Sequence, residues 1–137
     1  MSSRIAFVLL ILSTLPAHAD VWSFETPSEN IQCSVGQEVN FSDIYCTIIE
    51  RGGPLAYPRP SGCTASGWGH IFLMGNRGPV SMDCRPLDRN RDAQSQADYG
   101  VTATFGGITC TSERTGLTCR NEDGHGFFLS RRSQQVF

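Results

Sequence analysis

The 137-residue chain contains no lysine; all eleven of its basic side chains are arginines. Chemistry that needs an amine is therefore excluded, whether a Ser-Lys pair or a Schiff base. The formal net charge is −2 and becomes −3 once Arg4 is removed with the first 19 residues. An acidic chain without a basic run is a poor match for a polyanion, so nucleic acid is not expected as a partner. No Cys-x-x-Cys pair is present, and the three histidines are scattered, so no metal is expected. Neither Gly-x-Ser-x-Gly nor His-Glu-x-x-His occurs. Nothing points to a cofactor. Helix signals are nearly absent as well. Fourteen glycines and seven prolines, with many Ser and Thr residues, interrupt every window long enough for a helix.

The one long apolar run is at the start. Arg4 precedes Ile5 to Leu12, Leu15 continues the run, Pro16 breaks it, and Ala17-His18-Ala19 has the small-x-small form of a cleavage site. The run is shorter than the roughly 20 apolar residues that span a bilayer. Residues 1–19 are thus expected to be a signal peptide cleaved after Ala19, leaving residues 20–137 as one secreted or periplasmic domain. No transmembrane segment is expected in that mature chain.

All six cysteines, Cys33, Cys46, Cys63, Cys84, Cys110 and Cys119, follow the leader. An even number behind an export signal predicts disulfides. In "TCTSERTGLTC" the stretch Glu113-Arg114-Thr115-Gly116 suits a type I turn with Gly116 in the left-handed position. That register sets Ser112 opposite Leu117 and Cys110 opposite Cys119, near enough to bond. Nearest-neighbour pairing would add Cys33–Cys46 and Cys63–Cys84.

The rest of the chain reads as short alternating strands: "VWSFET", "NIQCSV", "DIYCTII", "HIFLMG", "RGPVSMDC", "VTATF", "GITCTS", "GLTCRN" and "GFFLSR". Residues 52–62 form a Pro/Gly-rich loop, and residues 85–98 a polar surface loop or at most one short helix. The expected fold is all-β, a small disulfide-stapled antiparallel sandwich or barrel. A weak internal echo links "ENIQC…IYCTI" with "GGITC…LTCRN".

"TPSENIQC" (26–33), "IYCTI" (44–48), "FGGITCTSERTGLTCRN" (105–121) and "GHGFFLSR…F" (124–137) resemble a family of small secreted bacterial proteins classed as a domain of unknown function. Its pattern is SPSGNI-x-C near the start and G-V-T-C-x-N followed by GHGF-x-L-S-R near the end. The resemblance implies export and cysteine pairing and implies no mechanism. The chain departs from the pattern at Thr26 and Glu29, where the family has Ser and Gly. That removes the sequence argument for a tight turn at 29.

Four side chains stand out as candidate binding residues: Trp68, His70, His125 and Arg131. Trp22, Trp68, Tyr57 and Tyr99 are candidate anchors, although rings of this kind more often fill the core or its rim; Trp68, among glycines in "SGWGH", is the best placed for exposure. "EDGHGF" contains the Asp-Gly-His-Gly element of metal-dependent protein phosphatases, but the chain is too short for that fold and its context is wrong. The C-terminal Phe137 lacks the alternating apolar residues of an outer-membrane strand. Period-2 alternation groups His125 with Phe127 and Leu129, which predicts a partly buried, hydrogen-bonded histidine at a strand start. No catalytic set is visible. The expected role is a monomeric, non-catalytic binding or inhibitor-type domain for an envelope or extracellular protein or glycan. The alternative is a small hydrolase using His125 with Asp123 or Glu122; Asp83 and Asp98 are further carboxylates.

Overall fold

The computed structural model describes residues 20–88 and 95–137. The expected leader and the middle of the 85–98 loop lie outside the described residues.

Alternation of apolar and polar residues gives eleven strands and, among the described residues, no helix. They are β1 (Asp20–Glu25), β2 (Ile31–Gln37), β3 (Ser42–Ile48), β4 (Ile71–Gly75), β5 (Ser81–Met82), β6 (Ser95–Gln96), β7 (Thr102–Phe105), β8 (Ile108–Glu113), β9 (Gly116–Arg120), β10 (Gly126–Leu129) and β11 (Gln134–Val136). One sheet has the order β5-β4-β3-β2-β1-β6 and the other β11-β10-β9-β8-β7. All pairings are antiparallel except the short parallel one between β1 and β6. The two sheets make a sandwich, as the strand pattern predicts.

The core lies between the sheets. In β2 the inward set is Ile31, Cys33 and Val35; in β3 it is Ile44, Cys46 and Ile48. Ile108, Leu117, Cys119, Phe127 and Leu129 face them from the second sheet. The rings of Phe72 and Phe127 meet across the layers at 6.0 Å. Each fully buried side chain of this size contributes about 1.5–3 kcal/mol.

Three disulfides join Cys33–Cys46, Cys63–Cys84 and Cys110–Cys119. Cys33 stands opposite Cys46 and Cys110 opposite Cys119, each pair with Cα atoms 4.1 Å apart. That short separation marks non-hydrogen-bonded pairs. Both bridges point into the core, one from the middle of each sheet. The echo between the two Cys-containing segments is thus one device used twice, a hairpin stapled on its inward face. Ser112 opposes Leu117, the register read from the sequence, but Gly116 pairs with Glu113 at a φ of 152° and not in the left-handed position expected of it.

The strand pattern needs three adjustments. "RGPVSMDC" contributes only Ser81–Met82 to a sheet. In the 85–98 loop, Ser95 and Gln96 pair with β1. β11, near the C-terminus, has no alternating apolar signal and was not expected.

Candidate functional site

At the C-terminal motif, Asn121 is buried and ends β9. Its Nδ2 donates to Gly75 O (3.1 Å) and Gly78 O (2.7 Å), while its Oδ1 accepts from the N–H groups of Asp123 and His125 (both 3.1 Å). One side chain thus closes the turn before β10 and ties it to the β4–β5 connection. The neighbouring carboxylates point the same way. Asp123 accepts from Gly78 N–H at 2.7 Å, and Glu122 meets Arg77 Nε at 3.1 Å.

His125 turns elsewhere. Its Nδ1 lies 3.3 Å from the Phe137 carbonyl oxygen, which can only accept, so this nitrogen carries the proton. Among the described residues, no hydrogen bond joins His125 to Asp123 or Glu122, so the geometry does not assemble the hydrolase pair. The ring is half-buried at the start of β10, as its alternation predicts. The two flanking glycines have different causes. Gly124 has a φ of 79° and open space around it, so it serves the turn. A Cβ on Gly126 would stand 2.1 Å from Cys119 O and 2.8 Å from the Phe137 ring, so Gly126 serves close strand approach.

Trp68 corrects its expectation. It is buried at 8% exposure, with Nε1 donating to Tyr57 O at 3.0 Å. The glycines beside it mark close packing, not openness: a Cβ on Gly67 would lie 1.9 Å from Arg85 O. His70 Nδ1 donates to Ile48 O at 2.7 Å, which fixes that ring as part of the scaffold. Arg131 is exposed and pairs with Glu50, while its carbonyl accepts from Gly52 N–H. The structure therefore does not gather Trp68, His70, His125 and Arg131 into one site. Asp83 is equally scaffolding. The Arg85 backbone N–H and guanidinium both bond its carboxyl and hold it below the usual carboxylate range.

The tryptophan at the surface is Trp22, 42% exposed on β1. It lies on the inward side of the first sheet, where the sandwich parts between β1/β6 and β7. Its ring is 5.9 Å from Phe105, which stacks on Phe24 at 5.8 Å. Below them a mainly apolar cleft of about 230 Å³ reaches down to Leu117 and Cys110. Val101 and Ala103 form its other wall and Ser95 and Gln96 its polar rim, while the buried Ser112 donates its hydroxyl to Ala97 O at 3.0 Å. Trp22 and Val101, both exposed, make the mouth apolar as well. Alternation placed these side chains on inward faces, but only pairing between distant strands shows that the faces stay uncovered here.

Comparison with known proteins adds one match, over residues 5–137. The chain belongs to a family of unknown function (DUF6636). No curated protein and no solved structure matches it. Membership supplies no activity, so the functional reading rests on geometry. Glu29 is instructive. The turn is present, with Glu29 N–H donating to Thr26 O at 2.8 Å, and Glu29 is the one non-glycine residue at positive φ, 62°, among the described residues. The departure from glycine therefore leaves the turn in place and loads strain onto it. Asn30 beside it bonds Glu50 through both ends of its amide, at 2.8 and 3.0 Å. The "ENI" and "CRN" motif elements are thus asparagine clamps of the scaffold.

Proposed function

We propose that the protein is an exported, non-catalytic binding domain that holds an envelope or extracellular partner at the open end of its sandwich, in the cleft beneath Trp22 and Phe105. The observation that carries this reading is the aromatic lip itself. Apolar side chains that could have closed the core leave a cleft with a large ring at its mouth. Such a site is a suitable seat for an interface anchor, since aromatic side chains at well-packed pockets carry most of the energy of many interfaces. Two disulfides fix the walls on either side, which lowers the entropy cost of association. The polar groups that could do acid–base work are engaged elsewhere: Glu122 and Asp123 with Arg77 and Gly78, Asp83 with Arg85.

The test is capture from envelope extract on the immobilised, oxidised protein, run beside a Trp22→Ser variant of equal thermal stability. A partner retained by the wild type and weakened at least tenfold by Trp22→Ser supports the reading. Retention of every partner by both proteins would sink it, as would retention by neither.

A further inference from the structure

We infer that the partner docks as an extended polypeptide strand added to the free edge of β7, with one large apolar side chain seated in the cleft. This inference rests on the proposed binding role and names the chemistry of its occupant.

The hydrogen-bond parity of the second sheet identifies the free groups. Cys110 and Cys119 form a non-hydrogen-bonded pair, so the backbone N–H and C=O of Cys110 point toward β7 and its partner Ala103. Ser112 has the same parity, and its N–H donates to Val101 O at 3.0 Å. Ala103 and Phe105 therefore spend their backbone groups on β8, as Val101 does its carbonyl, while the Val101 N–H donates to Asp98 O at 3.2 Å. Thr102 and Thr104 must point theirs the other way, and β7 is the last strand of its sheet. Among the described residues β7 pairs only with β8, so each directs an N–H and a C=O to the lip of the cleft.

Sheet edges are usually protected by short length, charge or proline. The other three edges here show such devices. β5 and β6 are two residues each, with Pro79 just ahead of β5. β11 is three residues long and follows Arg131-Arg132. β7 lies within Val101-Thr102-Ala103-Thr104-Phe105, which has high β-propensity, no charge and no proline. An unprotected edge beside an apolar cleft suits strand addition, in which main-chain bonds give affinity and alternate side chains give specificity.

The cleft then selects the side chain. A strand laid on β7 places its inward residue opposite Ala103, the smallest side chain of the wall. At about 230 Å³ the cleft is smaller than most small-molecule sites, which run to about 300–1,000 Å³. It is sized for a single anchor such as an aromatic or branched aliphatic group. Its apolar walls offer few of the directional polar groups that a sugar needs.

The probe is a phage-displayed library of random linear peptides panned on the oxidised protein. Selected peptides should alternate polar and apolar residues around one large apolar position. Their binding should fall at least tenfold in Thr104→Pro, which removes an outward N–H and the hydroxyl contact with Thr109 but no β7–β8 backbone bond, and in Ala103→Phe, which fills the cleft. Amide exchange on the wild type provides a readout free of any folding defect in these variants: Thr102 and Thr104 should become protected on peptide binding. Failure of the library to yield a linear binder overturns the inference. So does binding by selected peptides that is indifferent to both substitutions, or protection that appears on Val21 and Ser23 of the opposite lip. If envelope capture still depends on Trp22 in any of these cases, the binding role stands and the occupant is a glycan or a folded surface.

Discussion

At the residue scale, the chemistry-bearing motif of the C-terminus turns out to be architecture. Asn121 satisfies two carbonyls and two N–H groups, the two carbonyls in a different strand and connection from its own. Its replacement by Ala would strand those groups in a buried place, at a cost of about 1–3 kcal/mol for each unsatisfied group that water cannot reach. Asn121→Ala should therefore lower stability by about 2–3 kcal/mol in urea unfolding; a loss under about 0.5 kcal/mol would refute the clamp. Asn121→Asp should be worse, since a carboxylate cannot donate to Gly75 O and Gly78 O. Glu29 works in the opposite sense. A left-handed non-glycine residue costs about 1–2 kcal/mol, of which glycine's extra unfolded-state freedom takes back about 0.5–1 kcal/mol. Glu29→Gly should raise stability by about 0.5–1 kcal/mol, read as a higher urea midpoint at unchanged slope. An unchanged or lower midpoint would show that the Glu29 side chain compensates the strain. Trp68 shows why such residues resist reading from sequence. Glycine permits both an open loop and a backbone-to-backbone approach, and only the position of Arg85 O decides between them.

At the element scale, much of the sandwich was legible because alternation is a local property. Ile31, Cys33 and Val35 declare an inward face by themselves. The hairpin of β8 and β9 was legible to its register because the turn and the two cysteines agree. What escaped was pairing that depends on distant segments. β6 is two exposed polar residues that become a strand only because Glu25 O accepts from Ala97 N–H at 2.7 Å. β11 carries a glutamine on its inward face. Gln134 is buried because its amide bridges Ala56 N–H and Gly69 O, which pins the Pro/Gly-rich loop to the sheet. The candidate cleft was illegible for the same reason, since an uncovered face is defined by what fails to pack on it. The elements also rank the disulfides. Cys33, Cys46, Cys110 and Cys119 are at most 4% exposed inside stapled hairpins, whereas Cys84 is half-buried beside a loop. A mild reductant should open Cys63–Cys84 first, and pulsed alkylation with peptide mapping would show Cys63 and Cys84 labelled ahead of the rest. Earlier labelling of Cys110 and Cys119 would contradict the burial order.

At the scale of the whole molecule, the bridges and the core share the work of holding the fold. The cysteines close segments of 13, 21 and 9 residues, and the chain-entropy relation assigns them together about 9 kcal/mol. Net stabilities of domains lie at about 5–15 kcal/mol. The core is one layer of side chains between the two sheets, opened at one side by the cleft. The bridges are thus comparable to the whole margin, and a compartment that keeps thiols reduced would not sustain this fold. The fully reduced chain should lose its amide chemical-shift dispersion at 25 °C without denaturant and regain it on reoxidation. A reduced chain that kept a dispersed spectrum would mean that packing alone suffices. The same dependence bears on the binding role. A scaffold whose walls are set by covalent links can leave an edge and a cleft uncovered at little risk of collapse, which a small reduced domain of this core size could not do.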